Sequence, residues 1–435
     1  MPNPPQLTVV SYPTAAYTEQ LAKGALVRVY GPTLTIGDTV PLPEGIDRAT
    51  RLLQWTAYDD TRHELTLARL HTVLSSSYTI RKSLIRKHFL HRLVNVHVAK
   101  HPDALLKPGK GTPETWDLEI SWADELDEMW SDDLYDLGQL LDENYEKDAT
   151  DKRWFILKPG MADRGMGIRL FSSKDGLREI FESFEDDDEK EDEEDDTNVI
   201  ANQLRHFVIQ SYISDPLLVD PRVVSISGSL PPRMLEPRKF HLRAYCVASG
   251  ALVLYLSPHI LALFSSKPYS APVGEDVDLS VHLTNTALQK DVTTHYDSVR
   301  LLSELPLPGG VTYTKILEQT RDLLAETFAA ALGGGAAYFQ PMPNAFELIG
   351  ADLLVREDGS VVLLELNAEP AVHLTGERLG WTLQNMFEGI VRACVVPFFD
   401  DGGGGQAEAG EWKVGEEKHG LIKCLDVKVR AQGAW

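Results

Sequence analysis

Residues 346–370, FELIGADLLVREDGSVVLLELNAEP, set two apolar runs on either side of an Asp-Gly dipeptide at Asp358 and Gly359. Asp-Gly between such runs is a strong short-range signal for a β-hairpin with a two-residue loop. Folding about that loop predicts Glu357 opposite Ser360 and, further out, Asp352 opposite Glu365. Side chains alternate faces along a strand, so Asn367 shares the face of Glu365. Ile349, Ala351, Leu353, Val362, Leu364 and Leu366 are expected on the other face. Two carboxylates opposed across a ladder repel unless a cation lies between them. A hard divalent ion such as Mg²⁺ suits two carboxylates and an amide oxygen, which makes Asp352, Glu365 and Asn367 candidate metal ligands. The plainer reading is a solvated hairpin whose acids happen to align.

With 435 residues, 43% of them hydrophobic, the chain can bury a large core and hold two or three structural units. The expected division is 1–65, a small N-terminal α/β unit; 66–208, a central unit with a disordered acidic insertion at about 182–200; and 209–435, a C-terminal unit with a Gly-rich loop at about 401–411. Three cysteines without paired spacing, Cys246, Cys394 and Cys424, suggest neither a disulfide framework nor a zinc site. No basic-then-apolar leader and no bilayer-length apolar run is present, so a soluble cytoplasmic protein without membrane contact is expected. The net charge is -23. The run Glu182 to Asp196 holds twelve acids and one lysine, and the rest of the chain still carries 41 basic against 53 acidic residues. Such a balance repels phosphate backbones and argues against direct nucleic-acid binding.

Along the chain, LTVVSY, ALVRVY and TLTIG read as short strands near the N-terminus. A helical pattern runs from Arg62 to about Val98 and gathers Arg81, Lys82, Arg86, Lys87, His88, His91 and Arg92. These are either the solvated face of an amphipathic helix or a groove for an anionic partner. Trp116 to Lys147 reads as acidic, aromatic and helical. The acidic run is expected as a surface loop after a helix at Lys174 to Phe181, and LIKCLDVKV as a strand returning to the body.

Several stretches carry chemistry. In WFILKPGMADRGMGIRLF an apolar strand delivers Lys158, and Pro159 holds that lysine extended. Gly165 and Gly167 permit close approach of a ligand, while Lys158 and Arg164 supply charge for phosphate oxygens. The spacing is neither a Walker A nor a GxGxxG pattern; a solvated basic hairpin tip is the alternative. HFVIQSYISDPLLVD reads as an apolar strand ending at Gln210, which could be simple core. RKFHLRAYCV puts Lys239, His241 and Arg243 on one face and Phe240, Leu242 and Ala244 on the other. Such a cationic face needs an anionic partner, for which polyphosphate would serve, unless it is exposed. VHLTNTALQ offers His282, Thr284 and Asn285 at the start of a possible helix, with Thr284 either an N-cap or a phosphate contact.

The order of these pieces, KPGMADRGMGI, IQSYISDPLL, RKFHLRAY, HLTN, then IGAD with ELNAEPA, resembles the tubulin tyrosine ligase family of the ATP-grasp superfamily over roughly residues 75–395. The resemblance implies an α/β (α+β) ATP-grasp fold, with nucleotide held between two α/β subdomains, and ATP and Mg²⁺ as cofactors. It implies that Lys158 meets the α and β phosphates, with Arg164, Gly165, Met166 and Gly167 forming a flexible lid. Gln210, Tyr212 and Ile213 would form the adenine hinge. Lys239, His241 and Arg243 would face the nucleotide, with Thr284 and Asn285 nearby, and Asp352, Glu365 and Asn367 would hold Mg²⁺. Lys158, Arg164, Arg243 and Glu365 would act on the transferring phosphoryl group. The implied activity joins an amino acid to a protein carboxylate through an acyl phosphate.

The chain departs from the family in two places. His241 stands where the family usually has Asp. YLSPHILALFSSKPY keeps Ser265, Ser266, Pro268 and Tyr269 but lacks the substrate-reading arginines near Leu256 and Ala262. These departures resemble the divergent fungal branch, in which a member associates with processing bodies and the mRNA decapping enzyme. The alternative implied is an ATP-binding module that docks such a partner, with a monomer as the expected state. An acidic tubulin tail is a poor fit to so acidic a surface.

Overall fold

The computed structural model describes residues 2–160, 167–186, 205–223, 235–274, 277–284, 298–400 and 412–427. Its strands are β1 (Leu7–Ser11), β2 (Ile36–Gly37), β3 (Leu52–Thr56), β4 (Val73–Ser75), β5 (Thr115–Glu119), β6 (Phe155–Pro159), β7 (Arg169–Phe171), β8 (His206–Ser211), β9 (Leu218–Val219), β10 (Arg238–Ser249), β11 (Val253–Leu256), β12 (Leu261–Phe264), β13 (Val299–Leu301), β14 (Phe346–Val355), β15 (Val361–Ala368), β16 (Glu417–Lys418) and β17 (Leu421–Asp426). Among the described residues they form three sheets: a parallel one, β2-β1-β3-β4; a small antiparallel one, β5-β8-β6-β7; and a large one built about β10. Along one edge β10 pairs with β14, and along the other with β12 and then β11. The return of the C-terminal segment is as expected, since β17 pairs with β11.

The large sheet is packed on both sides. One face lies against the helix Tyr313–Gly333, in which Ile316, Leu323, Leu324, Phe328 and Ala331 recur at helical spacing and are buried. Thr312 caps that helix, its hydroxyl accepting the Lys315 amide. The other face carries Tyr245, Val247, Leu261 and Leu263 against the helices Ala16–Tyr30 and Gly380–Ile390. Trp55 sits between Phe346 and Phe387, edge-on to one at 5.3 Å and stacked on the other at 5.8 Å, which ties the parallel sheet to the large one.

Several expected elements change identity. ALVRVY is the end of the helix Ala16–Tyr30, not a strand. Leu21, Ala22, Ala25, Leu26 and Val29 form one buried stripe, and this tertiary contact overrides the β preference of Val and Tyr. The helical pattern after Arg62 is interrupted by β4, whose Val73 and Leu74 are buried in the parallel sheet. Trp116 to Glu119 belongs to β5 rather than to a helix. The helix from Lys174 extends to Asp186, so the acidic run begins inside it; its remainder, like the Gly-rich loop, lies outside the described residues. A short helix, Leu279–His282, precedes Thr284, and the helix expected to run towards Gln289 falls outside the described residues.

The hairpin β14–β15 forms, but with a three-residue loop. Arg356 pairs with Ser360, and Gly359 adopts φ +83°, which shifts the register by one residue from that expected. A bulge at Leu364 shifts it back, so Asp352 still lies opposite Glu365 while Leu353 pairs with Leu363. Between loop and bulge the faces are exchanged: Val361 and Leu363 enter the core, and Val362 and Leu364 join Ile213 and Leu354 on the opposite side. Outside the bulge Ile349, Ala351 and Leu366 are in the core as expected. Gly359→Ala strains a left-handed position whose Cβ would stand 3.0 Å from Val311; a loss of about 1–2 kcal/mol in urea unfolding is expected.

Candidate functional site

The small and large sheets face each other across a cleft. From the small sheet, Phe155, Leu157, Phe207 and Ile209 point into a core of their own. Alternation therefore turns Ile156, Lys158 and Gln210 to the cleft. From the large sheet, Phe240, Leu242 and Ala244 are in the main core, which leaves Lys239 and His241 lining the cleft. Asp352, Leu354, Leu364 and Glu365 complete that side, and Thr284 with His282 closes one end. Ile156, Ile168, Ile213, Leu354 and Leu364 make an apolar slot between the polar walls.

The charged groups interlock. Arg243 grips Asp352 with two bonds, Nε to Oδ1 at 2.5 Å and Nη2 to Oδ2 at 3.0 Å. Gly350 makes room for this fork: a Cβ there would meet Pro370 at 2.9 Å and the Arg243 Cδ at 3.3 Å. The Asn367 amide donates to Asp352 Oδ2 at 3.0 Å, which leaves its own Oδ1 available. Lys87, the first residue of the helix Lys87–Lys100, pairs with Glu365 at 3.1 Å. The repulsion between the opposed acids is thus offset by cations of the chain itself. Among the described residues no three His, Cys, Asp or Glu side chains converge closely enough to hold an ion unaided.

The remaining cations lie deeper. Lys158 donates to the Gln210 amide oxygen at 2.7 Å, and Gln210 in turn donates to Thr115. Lys239 has its ammonium 4.1 Å from the centre of the Tyr212 ring, and the Tyr212 hydroxyl meets His282 Nδ1 at 2.9 Å. Burial, with the charge of Lys158, pushes Lys239 down to about 7. Burial also lowers Lys158 against the pull of Glu365, and together with Lys239 it lowers His282 to about 4. Burial works against the charge on Arg243, but the Asp352 carboxylate outweighs it and holds the guanidinium above its usual range. Burial likewise opposes the charge on Glu365, yet Lys87 and Lys158 outweigh it and bring the carboxyl down to about 2. Four cations against two carboxylates leave a cleft of positive character in a strongly acidic protein.

Lys158, Gln210, Tyr212, Ile213, Lys239, His241, Thr284, Asp352 and Glu365 therefore line one cleft. Arg243 and Asn367 lie directly behind Asp352, and Gly167 precedes β7. Arg164, Gly165, Met166 and Asn285 are outside the described residues. Sequence reasoning did not find Lys87 as a partner of Glu365, because no spacing links two positions so far apart. The basic segment around it is neither a bare solvated face nor an open groove: Arg81 pairs with buried Glu347, and Arg92 with Asp117. Leu256 and Ala262 are buried in the core, and Leu261 and Leu263, cross-strand from Arg243 and His241, are apolar.

A model of the tubulin-tyrosine ligase family matches residues 119–402. The chain belongs to that family. Two fungal relatives are a probable tubulin–tyrosine ligase of Schizosaccharomyces pombe, 37% identical over 358 residues, 80% of this chain and 83% of that protein, and the probable tubulin–tyrosine ligase PBY1 of Saccharomyces cerevisiae, 33% identical over 417 residues. The latter match spans 91% of this chain but 52% of the yeast protein. The crystal structure of the C-terminal domain of K. lactis Pby1, an ATP-grasp enzyme interacting with the mRNA decapping enzyme Dcp2, superposes with a TM-score of 0.68 at 25% identity, covering 98% of this chain and 100% of that one. As a tubulin-tyrosine ligase family member, the chain thus has an ATP-grasp fold, in which the facing sheets are the two walls of the cleft.

The Glu365 shift sets a pH window. Its folded value lies below the ordinary 4.5, so its pairing stabilises the fold above about 4.5 and that contribution is lost as pH falls towards 2. Glu365→Gln should cost about 3 kcal/mol at pH 7, since it leaves Lys87 and Lys158 short of a partner. It should also flatten the dependence of urea midpoint on pH between 2 and 4.5. An unchanged acid limb would remove Glu365 from the charge cluster.

Proposed function

We propose that the protein is an ATP- and Mg²⁺-dependent carboxylate-amine ligase, joining an amino acid to a protein carboxylate. The observation that carries the proposal is the meeting of Lys158 and Lys239 with Asp352 and Glu365 in one cleft with an apolar slot, with Arg243 holding Asp352 from behind. A carboxylate is a poor electrophile at neutral pH. Transfer of the γ-phosphoryl group to its oxygen gives an acyl phosphate and ADP. Attack of an amine nitrogen on the acyl carbon then forms the amide, phosphate leaves with the C–O electron pair, and the amine gives up a proton. Charge in phosphoryl transfer is spread over the phosphate oxygens, so positioned cations supply most of the catalysis and no Ser, Cys or His nucleophile is required.

The donor set fits Mg²⁺. Asp352 and Glu365 offer carboxylate oxygens, and Asn367, with its amide nitrogen turned to Asp352, offers Oδ1. When bound, the ion would supply positive charge that offsets the charge of the phosphate oxygens. Lys158, Lys239 and Arg243 would hold the polyphosphate, and the apolar slot with Gln210, Tyr212 and Ile213 would take the adenine. Arg164 to Gly167 would close over the phosphates, with Thr284 and Asn285 beside them.

Two measurements test this reading. ADP formation that depends on both an amino acid and a peptide acceptor is expected, and Glu365→Gln should abolish it and weaken nucleotide binding in Mg²⁺. Because Lys239 is held near 7 in a cleft with surplus positive charge, a polyphosphate ligand should raise it. Binding of an ATP analogue at pH 8 should then take up a proton, seen as calorimetric heat that varies with the ionisation enthalpy of the buffer and is lost in Lys239→Met.

A second reading is favoured by one observation, the buried apolar character of Leu256 and Ala262, near which the substrate-reading arginines of the family would stand. In it the protein binds ATP but ligates weakly or not at all, and docks a partner such as the mRNA decapping enzyme in cytoplasmic processing bodies, as the resemblance to Pby1 suggests. Nucleotide binding without turnover, together with capture of purified decapping enzyme, would select this reading over the first.

A further inference from the structure

The His241 ring is 5% exposed and lines the cleft. Its Nδ1 meets the Thr284 hydroxyl at 2.5 Å, which fixes the orientation of the ring. Its Nε2 is buried with no hydrogen-bond partner and lies 3.7 Å from Asp352 Oδ1. That separation is too long for a hydrogen bond. It is a natural spacing for two donors on one ion, since atoms each about 2.0–2.2 Å from a metal stand roughly 3–4 Å apart. A ring nitrogen tied to a hydroxyl, with the other aimed at a carboxylate, is also how proteins orient metal-ligating histidine.

We infer that His241 supplies an imidazole nitrogen to the divalent ion that accompanies the nucleotide, so that this cleft prefers a first-row ion such as Mn²⁺ to Mg²⁺. The inference rests on the nucleotide site proposed above. Mg²⁺ demands oxygen ligands, whereas Mn²⁺ shares those ligands and also accepts imidazole. Arg243 now occupies both oxygens of Asp352, and the γ phosphate offers that guanidinium another anion. An exchange of this kind frees Asp352 Oδ1 on the side facing His241.

The test uses the whole protein with Mn²⁺ and a non-hydrolysable ATP analogue. Spin-echo modulation of the Mn²⁺ signal should show nitrogen coupling that changes from the ¹⁴N to the ¹⁵N pattern when only the histidines are ¹⁵N-labelled. Labelling leaves the protein chemically intact and excludes coupling from the adenine. Calorimetry should show the ratio of Mn²⁺ to Mg²⁺ affinity, measured with the same analogue, falling about tenfold in His241→Asp. Nucleotide binding with no histidine coupling, or an unchanged ratio in the variant, overturns the nitrogen ligand and leaves the ATP site standing. Failure of the analogue to bind with either ion would instead overturn the site itself.

Discussion

The fork from Arg243 to Asp352 holds the centre of this structure. It joins β10 to β14 by side chains where the two strands are already joined by backbone. It also offsets the repulsion that Asp352 and Glu365 would otherwise exert across β14 and β15. Such a pair is costly to desolvate and costlier to break, so its surroundings must be built around it. Gly350 leaves space for the arginine stem, Asn367 satisfies the second carboxylate oxygen, and the Leu364 bulge keeps Glu365 level with its partner. Each of these features has little reason to exist without the others.

The cleft inverts the charge of the protein that contains it. A chain of net charge -23 repels polyanions at long range, yet Lys87, Lys158, Lys239 and Arg243 converge on two carboxylates. Burial leaves Lys239 without a carboxylate partner among its described neighbours and lowers its hold on its proton. The surplus is what an anionic ligand would relieve, and its depth between two sheets protects it from screening by salt.

His241 and Arg243 lie together on one part of the large sheet. His241 and Arg243 face Leu263 and Leu261 across β12, so cation and apolar side chain share a surface. An imidazole lies next to Asp352, while the neighbouring strand carries no charge at all. Asp352 on β14 and Glu365 on β15 thus sit beside an imidazole and a guanidinium of β10, with an uncharged strand beyond them.

The sequence alone was enough to put Lys158 at the mouth of a hairpin and to sort Lys239, His241 and Arg243 from Phe240, Leu242 and Ala244. All of these follow from the two-residue period of a strand, which is a local property. It was not enough to see the three-residue loop and the Leu364 bulge, two shifts that cancel at Glu365 and exchange Val362 and Leu364 with Val361 and Leu363 between them. Nor could it turn ALVRVY into helix, since only packing against the Gly380–Ile390 helix decides that. Lys87 on Glu365 and Tyr212 on His282 were decided by tertiary structure alone. Charge pairing acts over a few ångströms of space, and sequence distance carries no record of it.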